Sequence, residues 1–169
     1  RAFVAGIAPA ILRSQTARRP NILLAIADDM SYPHTSAMGD PVVRTPAFDR
    51  VAEGGVLFRN AFAGAPGCAP SRAGLLTGRH IWTLEEAGTH ASLFPRKFPV
   101  FPELLGKAGY FTGLTGKGAG PCNFRAAGWP HNPAGPSFDT MKETPAREGM
   151  SPLDYAANFG KFLQQKPKD

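Results

Sequence analysis

The chain has 169 residues, 43% apolar, 19% charged and 10% aromatic, which is enough for one domain with a core of its own and too apolar for a wholly disordered chain. No apolar run approaches the ~20 residues that a membrane-spanning helix needs, and two cysteines are too few for a disulfide scaffold or a four-thiolate zinc site. The net charge of +6 sits at the two ends, with four arginines and no acid in residues 1–19 and three lysines against Asp169 in residues 161–169; the neutral body between them lacks the clustered basic face of a nucleic-acid binder.

In chain order, residues 1–17 set an arginine ahead of a short apolar stretch and a polar tail, the layout of an export signal too short to span a membrane. Gly6 and Pro9 argue against a buried helix there. Arg1 directly before Phe-Val-Ala resembles the tail of a twin-arginine signal, which implies a periplasmic or secreted bacterial protein. Residues 22–27 form a continuous apolar run, the pattern of a central parallel strand covered on both faces. Thr45-Pro46 supplies an N-cap and a proline at the first helical position; Phe48, Val51 and Ala52 then share a face, and Gly54-Gly55 ends the helix. Residues 56–62 are a second strand candidate. Pro70-Ser71 opens a short helix over residues 73–77, which places Cys68 just ahead of a helix N-terminus.

Residues 102–108 suit a further helix closed by Gly109, and residues 110–115 a third strand. The Gly/Pro-rich loop over residues 116–136 is too long for a plain connection and is expected to serve a site. Ser151 to Asp154 opens the last helix in a near capping box, with Leu153, Ala156, Ala157, Gly160 and Leu163 on one face. The rhythm is α/β with a mostly parallel sheet. Three strands do not make a covered parallel sheet, so the sequence is expected to be part of a longer domain.

The chemistry-bearing stretch is residues 68–79, Cys-Ala-Pro-Ser-Arg-Ala-Gly-Leu-Leu-Thr-Gly-Arg. Asp28-Asp29 lies directly after the first apolar run, at the carboxyl end of a strand where open α/β sheets place ligands. Paired carboxylates there suit Ca²⁺ or Mg²⁺, or else simply open a loop. Cys68 by itself reads as an activated group, a buried thiol or half of a disulfide with Cys122.

Residues 68–79 closely resemble the C-x-P-S-R-x-x-x-x-T-G-R pattern of the formylglycine-dependent sulfatases, carried by Cys68, Pro70, Ser71, Arg72, Thr77, Gly78 and Arg79. Other stretches agree: Arg19-Pro-Asn-Ile to Asp28-Asp29, Thr45-Pro-Ala-Phe-Asp49, Phe58-Arg-Asn-Ala-Phe62 and Thr115-Gly-Lys-Gly118. The resemblance covers about residues 19–165. It implies an alkaline-phosphatase-like α/β fold, present here as its N-terminal part, with residues 1–17 an export-signal remnant and 18–169 a truncated catalytic domain.

The resemblance further implies that Cys68 is oxidised to formylglycine by a maturation enzyme. One hydroxyl of the hydrated aldehyde would attack sulfur in line and displace the alcohol or amine; the second would then expel sulfate and restore the aldehyde. Asp28, Asp29 and residue 68 would bind Ca²⁺, or Mg²⁺, while Arg72 and Lys117 supply fixed positive charge. Ser71 and Arg79 would serve maturation and the local fold. Many family members continue past the lysine as G-K-W-H-L-G, whereas this chain has Gly116-Lys-Gly-Ala-Gly-Pro121 without a histidine. That loop and Asn132-Pro-Ala-Gly-Pro136 resemble the heparan N-sulfatase branch, and His90 or His131 could replace the missing group, His90 as a substrate contact. The expected substrate is a sulfated carbohydrate. The alternatives are a phosphonate monoester hydrolase or phosphodiesterase of the same superfamily, and a chain that holds a sulfated ligand without turning it over.

Overall fold

Helix α1 spans Pro46–Gly54, α2 Cys68–Thr77, α3 Phe101–Lys107 and α4 Tyr155–Gln165, with 3-10 turns at Ser36–Met38, Ile81–Thr83 and Glu85–Gly88. These elements belong to a computed structural model that describes residues 19–167. The expected export segment lies outside the described residues.

The helices follow the expected punctuation with instructive shifts. Pro46 opens α1 and Gly55 caps it. The Thr45 hydroxyl does not cap α1; it bonds Ser36 at 2.9 Å and Asp49 at 3.2 Å, tying α1 to the turn before it. Helix α2 begins earlier than expected, with Gly67 as N-cap and Cys68 as its first residue. Proline at the third helical position costs nothing there, because that N–H would have no intrahelical partner. Helix α4 begins later than expected. Asp154 is itself the N-cap, its carboxylate accepting from Ala157 N at 2.8 Å, so Ser151 and Pro152 lie outside the helix. The face expected to be buried on α4 also shifts: Leu163 is exposed, and the helix packs through Asn158 and Phe162.

The expected parallel sheet is absent among the described residues. Residues 22–27, 56–62 and 110–115 form no strand, and regular pairing is reduced to single bridges at Leu93–Asn123, Leu114–Ser137 and Lys142–Leu153. The physical reason is that a strand exists only through its ladder. The run at residues 22–27 finds no neighbouring backbone, and its side chains stay exposed, Leu23 at 73%.

The core forms instead around α2. Ala73 and Leu76 pack with Leu84, Ala87, Phe94, Phe98, Val100, Ala119 and Trp129, so the two 3-10 turns after α2 and the loop at residues 119–129 close over one helix face. Trp129 meets Phe94 edge-on at 5.6 Å between centroids and donates its Nε1–H to Phe94 O at 2.7 Å. The buried indole thereby keeps its polar group satisfied. A second cluster joins Phe111, Phe138 and Phe162, bringing α4 against residues 110–115. Asn158, fully buried, binds the passing backbone at Thr140 N, Met141 N and Met141 O.

Candidate active site

Both flanks of the site are fixed by the core. The α2 N-terminus presents two N–H groups, those of Cys68 and Ala69, ahead of the first helical bond, which Ser71 N makes to Gly67 O at 3.0 Å. Pro70 has no N–H to offer, and Gly67 has no side chain to cap the end. A helix terminus left in this way favours an anion. At the other end, Gly78 takes a left-handed conformation, φ 66°, and donates to Gly74 O at 2.8 Å. The Thr77 hydroxyl donates to Ala73 O at 2.8 Å, and the Arg79 guanidinium lies 5.8 Å from the Phe98 ring centre. Thr77, Gly78 and Arg79 therefore close and pack the helix that carries Cys68 at its start. Ser71 is half-buried on its first turn.

Arg72 projects from that turn, largely buried, and donates from Nη1 to Gly118 O at 2.8 Å and from Nη2 to Asp28 Oδ1 at 3.1 Å. Lys117 Nζ donates to Asp28 Oδ2. The structure thus brings Asp28, Cys68, Arg72 and Lys117, from three separate stretches of chain, into one cluster. The Lys117 ammonium, hydrogen-bonded to it, and then Arg72 hold the Asp28 carboxyl below the usual carboxylate range. Lys117 is raised in turn, first by Asp28 and then by the nearby Cys68 sulfur. Two cations thus share one carboxylate beside a helix N-terminus, in a partly exposed cluster.

Asp29 sits beside this group with φ 54°, a left-handed conformation uncommon outside glycine, asparagine and aspartate. It is exposed, and its carboxylate has no hydrogen bond or ion pair among the described residues. Asp28 and Asp29 are hard oxygen donors of the kind Ca²⁺ or Mg²⁺ takes, with both Asp28 oxygens here accepting from Arg72 and Lys117 and those of Asp29 unengaged among the described residues. Their number does not complete a shell: no group of three His, Cys, Asp or Glu side chains converges among the described residues.

Both cysteines are free thiols, so the disulfide alternative is not realised. Burial pushes the Cys122 thiol up and leaves it the inert partner in the core margin. His90 is exposed and makes no hydrogen bond or ion pair among the described residues. His131 bonds through Nδ1 to Asn132 O at 2.9 Å and lines a cleft of about 510 Å³ with Arg96, Lys107 and Thr112. Neither histidine joins the Cys68 cluster. In place of the family's histidine stands Ala119, fully buried, its N–H donated to Asn132 Oδ1 at 3.1 Å. Asn132 and Asp139, which bonds Gly116 N at 2.7 Å, were not identifiable as site residues by their type; only the glycine pattern around Lys117 hinted at a backbone needing support.

A helix N-terminus flanked by fixed cations is an arrangement suited to a tetrahedral anion. The Sulfatase family model matches residues 20–168, and the chain belongs to the sulfatase family. It is 35% identical over 138 residues to human arylsulfatase D, covering 75% of this chain and 23% of that protein. It is 39% identical over 110 residues to human N-acetylgalactosamine-6-sulfatase, covering 58% of this chain and 21% of that one. Against the N-acetylgalactosamine-6-O-sulfatase of Bacteroides thetaiotaomicron it is 38% identical over 114 residues, covering 63% and 22%. The chain thus spans less than a quarter of the length of these relatives. No solved structure matches it. The family implies an alkaline-phosphatase-like α/β fold; the described residues show helices around Cys68 and no sheet. No helix among the described residues is long and apolar enough to cross a membrane.

Proposed function

We propose that the parent protein hydrolyses sulfuric esters at the Cys68 cluster, and that these 169 residues alone, less than a quarter of the length of the relatives, do not turn the ester over. The observation that carries this reading is the convergence of Asp28, Arg72 and Lys117 on the helix end that Cys68 opens. Arg72 and Lys117 bind the sulfate oxygens and meet the negative charge that grows on them in the transition state. The N–H groups of Cys68 and Ala69 add the positive end of the α2 dipole. Asp28 keeps both cations aimed inward. Residue 68, matured to formylglycine, supplies a nucleophilic hydroxyl and a second hydroxyl that releases sulfate. Asp28, Asp29 and residue 68 are the groups that would hold a divalent cation, calcium first, which supplies Lewis-acid polarisation of the sulfate when bound.

The substrate we propose is a sulfated carbohydrate, supported by the names of the N-acetylgalactosamine-6-sulfatases to which the chain is similar. The Asn132 to Pro136 loop, packed under Ala119, is what favours the N-sulfo branch as a second reading. A maturation enzyme acting on residues 68–79 and export to the periplasm or exterior complete the proposal. The test is hydrolysis by the parent protein of a chromogenic sulfate ester beside the matching phosphate ester and N-sulfoglucosamine, each with calcium and with chelator. Metal-dependent turnover of the sulfate ester supports the reading; preference for the phosphate ester overturns it.

A further inference from the structure

We propose that Asn132 and Asp139 are positioning residues that clamp the backbone on either side of Lys117; the inference rests on the sulfatase reading of that lysine. Residues 114–119 cross the site without the continuous ladder that would hold a strand. Leu114 N bonds Pro136 O at 2.9 Å, and Phe138 N bonds Leu114 O at 2.8 Å, which fixes the start of the segment and nothing beyond it.

Beyond Leu114 one backbone turn, Gly120 N to Lys117 O at 3.2 Å, is joined by support from side chains. Asp139 Oδ1 accepts from the Thr115 hydroxyl at 2.9 Å and from Gly116 N at 2.7 Å, while its Oδ2 accepts from Ser137 Oγ at 2.8 Å. After Lys117, Asn132 Oδ1 accepts from Ala119 N at 3.1 Å and from Ala134 N at 3.0 Å. Between these grips lie Gly116, φ 91°, and Gly118, φ 58°, left-handed conformations on either side of Lys117, whose ammonium bonds Asp28. A Cβ at Gly118 would come within 2.6 Å of the Asn132 carboxamide, so the two fit only as a pair. Arg72 then reads the result by donating to Gly118 O. Moving either grip shifts the Lys117 backbone against Cys68, and a misplacement near 1 Å can cost about 100-fold in rate.

Both side chains bond groups flanking Lys117, so both act through Lys117 and are told apart from general scaffold by rescue. In the matured, metal-loaded parent protein, Asn132→Ala and Asp139→Ala are expected to lower kcat on an aryl sulfate by about 10- to 100-fold, and to raise amide exchange at Gly116 and Ala119. Asn132→Asp and Asp139→Asn, which keep the accepting oxygen, should recover to within a few-fold of wild type. Trp129→Phe, which removes a core hydrogen bond away from Lys117, is the control for a plain loss of stability and should keep kcat. Should the alanine variants fail to fold, Thr115→Val removes only one bond to Asp139 and is expected to lower kcat several-fold. Binding of inorganic sulfate, weakened in the alanine variants and restored in the conservative ones, reads the clamp without turnover. An inactive wild type that still shows this sulfate pattern would sink the sulfatase reading and leave the clamp standing. Wild-type kcat and sulfate affinity in both alanine variants, or an equal loss in Trp129→Phe, overturns the clamp.

Discussion

On the proposed mechanism the chemistry turns on residue 68, and the need for two hydroxyls on one carbon is what a serine there would not meet. Cysteine and serine sit equally well at the first helical position, but serine offers one hydroxyl and would retain the sulfo group after the first displacement. Cys68→Ser is therefore expected to abolish turnover in the parent protein with the fold intact, and mass spectrometry of the wild-type peptide should show loss of the thiol in favour of an aldehyde. An active protein with an unmodified thiol would refute this. The pair Asp28 and Asp29 gives a second expectation: alanine at either position should weaken calcium binding by calorimetry far more than Glu143→Ala does. Asp40 tests the electrostatics away from the site. The His34 ring at 2.8 Å, then Val43 N and Val42 N, lower its pKa from 3.8 to about 2. A folded value below the unfolded one means this contribution is present above pH ~3.8 and is lost as pH falls through about 2. Carbon-detected titration of Asp40 should show that midpoint in wild type and a higher one in His34→Ala. At this scale much was legible: the motif and spacing named Asp28, Cys68, Arg72 and Lys117, which the structure gathers. Asn132 and Asp139 were not, because a side chain that holds backbone has no pattern of its own.

Among the elements, helices were legible and strands were not, for one reason. A helix satisfies its hydrogen bonds within itself, so Pro46 and Gly55 could mark the ends of α1 locally. The run at residues 22–27 has strand composition but needs neighbours that local sequence does not contain. The start of α4 was misread because Ser151 and Asp154 are both good N-caps, and only tertiary contacts choose between them. At the start of α4 those are the Lys142–Leu153 bridge and the bond from Asp154 N to Met141 O; farther along, the helix packs on Gly113, where an added Cβ would lie 2.6 Å from Phe162 and 2.7 Å from Phe138. Gly113→Ala should then push α4 off residues 110–115, costing about 1–3 kcal/mol as an overpacked site does. A urea titration checks it. An unchanged midpoint would mean that the aromatic cluster yields freely.

Across the whole molecule, the described residues bury one core around α2 and leave a second apolar surface open. Ile22, Leu23, Leu24 and Ile26 are exposed on one extended run, while Val56, Phe58 and Phe62 are exposed on another, Phe62 at 92%. Single exposed apolar residues are ordinary, but runs of them on extended backbone with unpaired N–H and C=O groups template pairing with another chain. The net charge of +6 sits at the two ends, and the body that carries both runs is neutral. The 169-residue chain is accordingly expected to self-associate at micromolar concentration and to bind a hydrophobic dye. Leu24→Lys, which places a charge in the middle of the first run, should reduce both. It lies apart from the α2 core, so the near-ultraviolet signal of Trp129 should persist. Sedimentation velocity across a concentration series decides the matter: a wild-type chain that stays monomeric and dye-free would mean that these runs find partners within one molecule.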